Sequence, residues 1–292
     1  MQFRKTIQHP VQKSGIGVHQ GQTATFVLNP APCGQGLGFR KEGKGNIFPL
    51  SPQAIRQSFF QTVLCFEEDF WVYTPEHLLS ACYGLGITDL VIDLWGPELP
   101  IFDGSASSFV QALLEGGMIE FCQETQWMVL EKEISIQTEK GGLTLYPGSP
   151  VITFDLCVSP YLTQQAEFIL ENKNFITEIA PARTFTQAKH VEELQKKGLI
   201  QGGSLECAVV LDDQGKPVNK GGWRLESECA RHKILDILGD FCLLNLFFYG
   251  RIQGKNSGHH LNALVLQKLL ESPQAWRCLP FSKLPNFISK SH

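Results

Sequence analysis

Alternating apolar and polar positions mark the opening of the chain as strand-rich. Thr23-Ala-Thr-Phe-Val-Leu alternates with the two-residue period of a half-buried strand, and Phe59-Phe-Gln-Thr-Val-Leu-Cys-Phe is dense in β-formers. Gly- and Pro-containing stretches such as Asn29-Pro-Ala-Pro-Cys-Gly-Gln-Gly punctuate these segments. The pattern then changes. Thr74-Pro-Glu-His predicts a helix start, with Thr74 capping and Pro75 at the first helical position, running to Gly84 or Gly86. Leu90-Val-Ile-Asp-Leu predicts a strand, followed by a Pro-rich loop to Asp103-Gly-Ser and a helix over 106–114.

From about Gln126 a comparable plan begins again. Strands are predicted over 127–130, 143–146 and 151–157, then a polar, helix-favouring stretch over 186–197 and a strand over 205–211. A long helix follows over 225–245, a strand over 247–252 and a last helix from Ser257 to Leu270, and the tail after Pro273 reads as irregular. The halves share one echo: His77 is followed seven residues later by Gly84, and His232 seven later by Gly239. A boundary near residues 122–125 divides the chain into domains over 1–123 and 126–292.

Composition narrows the class. The 292 residues suffice for two ordinary domains, and 43% hydrophobic with 18% charged residues is a globular balance. A net charge of −4 lacks the basic field of a nucleic-acid binder, so no nucleic-acid partner is expected. The longest apolar run, 234–249, is interrupted by Asp236 and Asp240, which marks a buried helix rather than a transmembrane span. The N-terminal decapeptide lacks the apolar core of a signal peptide. Nine scattered cysteines without a Cys-x-x-Cys pair fit neither a disulfide framework nor a cysteine zinc site. A cytoplasmic location is therefore expected, and any metal should be held by His, Asp or Glu.

The long helix carries the most chemistry. In Arg231-His-Lys-Ile-Leu-Asp-Ile-Leu-Gly-Asp-Phe, the side chains of His232, Asp236 and Asp240 recur every fourth position. They fall within a stripe about 80° wide on an otherwise apolar helix. A buried polar stripe must be paired or bound to something. His-x-x-x-Asp places an imidazole and a carboxylate one turn apart, within reach of one metal ion, although the same spacing also suits a hydrogen-bonded core pair. Glu76-His77 offers a third ligand, with the acid beside it as a base toward water at the ion; alone, the dipeptide is an ordinary helix start. Asn256-Ser-Gly-His-His places His259 and His260 in a first helical turn, as surface histidines or with one serving as a general acid partnered by Asp240. Pro181-Ala-Arg-Thr-Phe is unremarkable in isolation.

Together these segments resemble the UDP-3-O-acyl-N-acetylglucosamine deacetylase family. The matching pieces are Ser14-Gly-Ile-Gly-Val-His, Thr74-Pro-Glu-His-Leu, Pro100-Ile-Phe-Asp-Gly-Ser-Ala, Ala182-Arg-Thr-Phe, Gly202-Gly-Ser, the Arg231–Asp240 run and Ser257-Gly-His. Their order and spacing across both halves make the resemblance specific. It implies an α+β fold of two similar two-layer α/β domains, packed with helices between the sheets and the active site at the domain interface. It implies Zn²⁺, with Fe²⁺ able to use the same ligands in the cell, on His77, His232 and Asp236. Glu76 then corresponds to the general base, His259 to the acid oriented by Asp240, and Thr184 to a hydroxyl beside the oxyanion. Phe185 corresponds to a substrate-binding wall, Lys233 to a lysine near the diphosphate, and 186–211 to an acyl-chain passage. The implied reaction removes the N-acetyl group of a UDP-sugar carrying an acyl chain, in the committed step of lipid A biosynthesis, by a monomer. Around residues 35–60 the resemblance is poor, and Pro75 stands where a β-branched residue is more usual. Two other readings are an amidase acting on another small amide and a non-catalytic nucleotide-sugar-binding protein. A base outside the ligand set favours catalysis, because a structural site has no use for one.

Overall fold

The alternation at 23–30 becomes one face of a sheet. Ala24, Phe26 and Leu28 are buried, while the residues between them are partly exposed. The computed structural model describes residues 1–58, 60–170 and 174–285 and shows a mixed α+β chain, several sheets with helices packed against them. The first five-stranded sheet runs in the order Val11–Ile16, Thr23–Pro30, Leu90–Trp95, Leu37–Lys41, Phe48–Pro49. Its middle strand, Leu90–Trp95, pairs antiparallel with Thr23–Pro30 and parallel with Leu37–Lys41. Residues 90–94 are all buried, as befits a central strand covered on both faces.

The second half repeats this topology. Its five-stranded sheet runs Ile134–Gln137, Gly142–Tyr146, Arg251–Lys255, Val151–Ser159, Leu162–Ile169. The middle strand is again the last to enter, antiparallel to one neighbour and parallel to the other. Among the described residues five α-helices accompany the sheets: α1 (Glu76–Leu85), α2 (Ser107–Glu115), α3 (Ala188–Lys196), α4 (Glu228–Cys242) and α5 (His259–Leu270). In each half one helix comes last before the central strand (α1, α4) and one follows it (α2, α5), with α3 additional in the second half. Buried apolar side chains from both halves form one continuous cluster.

The helices α1 and α4 pack on each other, and this contact assembles the site. Every residue of α1 is buried, as is every residue of α4 except Arg231 and Lys233. Two glycines make close approaches possible, Gly239 to the backbone of α1 and Gly84 to a side chain. A Cβ on Gly239 would lie 2.2 Å from the carbonyl oxygen of Glu76, and one on Gly84 would lie 2.3 Å from the ring of Phe175. The echoed glycines of the sequence are thus close-approach positions.

Several predicted boundaries shift for physical reasons. Thr74 does not cap α1: it has φ 55°, and its hydroxyl bonds Gln61 (2.6 Å) and Glu98 (3.0 Å), while Pro75 occupies the cap. The strand expected over 247–252 is two strands, Phe247–Tyr249 and Arg251–Lys255, in different sheets. Of the 205–211 segment only Val209–Leu211 pairs, parallel with Phe185–Gln187. The predicted strand over 59–66 shifts to Val63–Glu67, and Phe59 lies outside the described residues. Gly258, not Ser257, caps α5, and the tail contains a strand, Trp276–Pro280, which pairs antiparallel with Gln126–Leu130. Those pairings join segments far apart in the chain, which no local pattern encodes.

Candidate functional site

His77 occupies the first turn of α1, and His232 and Asp236 lie one turn apart on α4. All three are buried, and one ligand atom from each lies within 4.8 Å of the others. The imidazole centroids of His77 and His232 are 5.1 Å apart. The Ala182 carbonyl sits 3.0 Å from His232 Nδ1; since a carbonyl only accepts, Nδ1 carries the hydrogen and Nε2 offers its lone pair. That Nε2 lies 3.4 Å from Asp236 Oδ1.

The donor set fits a cation on an observation of its own. His77 Nδ1 and Asp236 Oδ1 are buried yet have no hydrogen-bond partner among the described residues. Each such orphan costs about 1–3 kcal/mol, and the Asp236 oxygen, 3.4 Å from His232 Nε2, points to an ion that both atoms bind. Charge states agree. Burial, reinforced by the neighbouring His232, pushes His77 down to about 3, and burial holds His232 below its ordinary value, so both are neutral lone-pair donors at pH 7. Burial by itself would raise Asp236, but Lys233, His232 and His259 outweigh it and keep the carboxylate ionised. Two imidazoles and one carboxylate form a donor set typical of catalytic zinc.

Around this set lies an acid–base pair. Glu76 Oε2 accepts from the Thr62 backbone N–H at 3.2 Å, and its Oε1 lies 3.6 Å from His259 Nε2. Burial pushes Glu76 up to about 8 against the opposing pull of His259. For His259 burial would favour the neutral ring, but Asp240, Asp236 and Glu76 raise it to about 9. Asp240 Oδ2 accepts from His259 Nδ1 at 3.0 Å and from Asn262 Nδ2 at 2.7 Å, while the Thr62 hydroxyl donates to its other oxygen. His260 borders a separate hollow with Gln53 and Leu264, so His259 is the histidine that enters the site.

The remaining predicted residues gather on the same cavity, about 590 Å³ in volume. Glu228, at the start of α4, accepts from the Arg183 side chain at 2.7 and 3.0 Å and from the Arg183 and Arg224 backbone N–H groups. These bonds clamp the 182–185 segment to α4 and bring Thr184 and Phe185 to the cavity wall. Thr184 N–H donates to the Gly104 carbonyl at 2.7 Å, tying that wall to the Asp103-Gly-Ser loop. Lys233 Nζ bonds Asp236 Oδ2 at 2.7 Å and lies 5.6 Å from the centroid of Phe185, whose ring meets His232 edge-on. Residues of the 186–211 segment, among them His190, Leu194 and Ile200, extend the wall.

Sequence reasoning missed Thr62, Asn262 and the Ala182 carbonyl. Asn262 was legible as the third residue beyond His259 on one helix face. Thr62 sits in a stretch with no chemical signature, and Ala182 acts through its backbone.

Comparison with known proteins bears on this geometry. The family model described as LpxC, UDP-3-O-acyl N-acetylglycosamine deacetylase, matches residues 4–271. The chain belongs to this family. A UDP-3-O-acyl-N-acetylglucosamine deacetylase of Nautilia profundicola is 39% identical over 284 residues, covering 96% of both chains. The one from Hamiltonella defensa is 35% identical over 285 residues, covering 95% of this chain and 93% of its own. This deacetylase family is zinc-dependent, in keeping with the buried His77, His232 and Asp236 cluster.

Proposed function

We propose that the chain hydrolyses the N-acetyl amide of UDP-3-O-acyl-N-acetylglucosamine at the His77, His232, Asp236 centre. The products are UDP-3-O-acyl-glucosamine and acetate, in the committed step of lipid A biosynthesis. The observation that carries this reading is the juxtaposition of a buried three-donor set and a carboxylate outside it, Glu76, in a zinc-dependent deacetylase family. Zinc in this set supplies Lewis-acid polarisation of the acetyl carbonyl and acidifies water for attack, and Fe²⁺ could take the same ligands in the cell.

The protein groups do the rest. Glu76 takes a proton from the attacking water as the new C–O bond forms. Thr184 and cationic His259 stabilise the negative charge that develops on the former carbonyl oxygen. As the C–N bond breaks, His259 passes its proton to the leaving amine, and Asp240, itself held by Thr62 and Asn262, keeps the imidazole in place. Phe185 serves as a wall of the sugar site and Lys233 approaches the diphosphate, while the 186–211 segment takes the acyl chain.

We read residues 1–123 and 126–292 as two similar domains with this site between them. The shared sheet topology supports that division, as does the supply of ligands from both α1 and α4. No helix among the described residues is long and apolar enough to cross a membrane, and our reading is of a monomer working in the cytoplasm on a small-molecule substrate.

The experiment is acetate release by zinc-loaded protein from the acylated UDP-sugar and from simple N-acetylated sugars. His77→Ala, His232→Ala and Asp236→Ala should each give folded protein with little zinc and negligible turnover. Normal zinc content in all three would overturn the ligand set, and faster release from simple sugars would replace the substrate with another small amide.

A further inference from the structure

Six buried side-chain polar atoms lack a hydrogen-bond partner among the described residues. Asp236 Oδ1 and His77 Nδ1 belong to residues of the candidate metal centre. Ser80 and Asn262 do not border the cavity. His19 does, as does Ser257. His19 is 8% exposed, and its imidazole is held at the cavity with a nitrogen, Nδ1, that nothing among the described residues satisfies.

The turn that carries His19 is built to hold it there. Buried Glu98 accepts the backbone N–H groups of His19 (2.9 Å) and Gln20 (2.8 Å), and also the hydroxyl of Thr74 (3.0 Å). Thr74 lies three residues before His77, so one carboxylate fixes the turn relative to the metal helix. A Cβ on Gly17 would lie 2.4 Å from Glu98 Oε2, so the turn closes around this carboxylate only without a side chain. From the other side Gln201 N–H donates to the His19 carbonyl (3.1 Å) and Gly202 N–H to the Val18 carbonyl (3.0 Å).

This places His19 at a chemical boundary. His19 follows Val18, which belongs to a small apolar cluster with Ile101, Ile200 and Cys207, while Glu98 ties the His19 turn through Thr74 to the helix of Glu76 and His77; Val18, Ile101, Ile200, Glu76 and His77 all line the cavity with it. A sugar at the metal with an acyl chain along the apolar wall must pass its ester linkage across that boundary. We propose that the His19 imidazole hydrogen-bonds this ester and thereby selects the 3-O-acylated substrate. The inference rests on the deacetylase reading above. An ester offers acceptors only, so His19 acts as the donor. Burial holds its pKa below the ordinary value in spite of Glu98, and the neutral ring retains one N–H to give.

The test compares the 3-O-acyl substrate with its 3-O-alkyl ether analogue, which lacks the ester carbonyl. Wild-type protein should prefer the ester in kcat/KM by about tenfold, the worth of one hydrogen bond in such a site. His19→Ala should erase the preference, mainly through KM, and His19→Asn, which keeps an N–H, should retain part of it. If His19→Ala gives no folded, zinc-loaded protein, His19→Leu takes its place with the same expectation. An undiminished ester preference in the alanine or leucine variant, or none in wild type, would overturn the inference and leave the deacetylase reading standing. Failure of wild type to release acetate from either compound would overturn that reading and this inference with it.

Discussion

Glu76 and His77 are neighbours in sequence with opposite protonation behaviour, and the cause is local. Burial drives the carboxyl toward its neutral form, to about 8, within reach of the base role proposed for it, and the imidazole toward its own, a lone-pair donor. Their roles separate under substitution. Glu76→Gln should keep the zinc bound while kcat falls by ~10²–10⁴, read as metal content beside steady-state turnover. Near-wild-type turnover in that variant would remove Glu76 as the base. His232 and Asp236 were legible as candidates because one-turn spacing and an apolar setting mark a polar stripe that has to be satisfied, whereas His77 reads alone as part of an ordinary helix start and joins the set through the family resemblance. Thr62 was not legible: a hydroxyl in an unremarkable segment acquires its role only because the fold brings it to Asp240.

Helix α4 shows how an element-scale contact can reverse a local preference. In a helix interior, glycine is worse than alanine by ~1 kcal/mol, so Gly239→Ala should stabilise an isolated helix. Here the added methyl would meet the Glu76 carbonyl at 2.2 Å, a backbone atom that cannot swing aside. The net cost should be about 1–3 kcal/mol in denaturant unfolding, and turnover should fall further because α1 carries both Glu76 and His77. A stabilised, fully active variant would contradict the close approach. The start of the same helix supplies a pH signature. Burial would raise Glu228, but the Arg183 side chain and the Arg224 and Arg183 N–H groups outweigh it and hold the carboxyl below its ordinary value. Its contribution to stability is therefore full above the ordinary glutamate pKa and is lost as pH falls through the depressed one. Glu228→Gln should cost about 1–3 kcal/mol at pH 7 and flatten the loss of stability between about pH 5 and 3, measured by chemical unfolding across pH.

At the scale of the whole molecule, an ion on the proposed His77, His232, Asp236 set would cross-link α1 and α4, which lie on opposite sides of the predicted boundary near residues 122–125. An ion bound only by the folded chain stabilises it by mass action, about 4 kcal/mol when present at a thousand times its Kd. Chelation should therefore lower Tm by several degrees and added zinc should restore it, whereas His77→Ala protein should show neither response. An unchanged Tm on chelation of wild type would argue against an ion joining the two helices. The sequence by itself determined the long buried helix, most strand and helix positions and the Glu-His and His-x-x-x-Asp motifs, because these are written in periodicity and spacing within single segments, while the α+β arrangement followed from the family resemblance. Tertiary structure alone decided that 247–255 divides between two sheets, that Thr62 and Asn262 join His259 at Asp240, and that Gly239 seats one helix on another. Those outcomes depend on which distant segments touch, and a local pattern of apolar and polar residues shows which face is buried without showing what covers it.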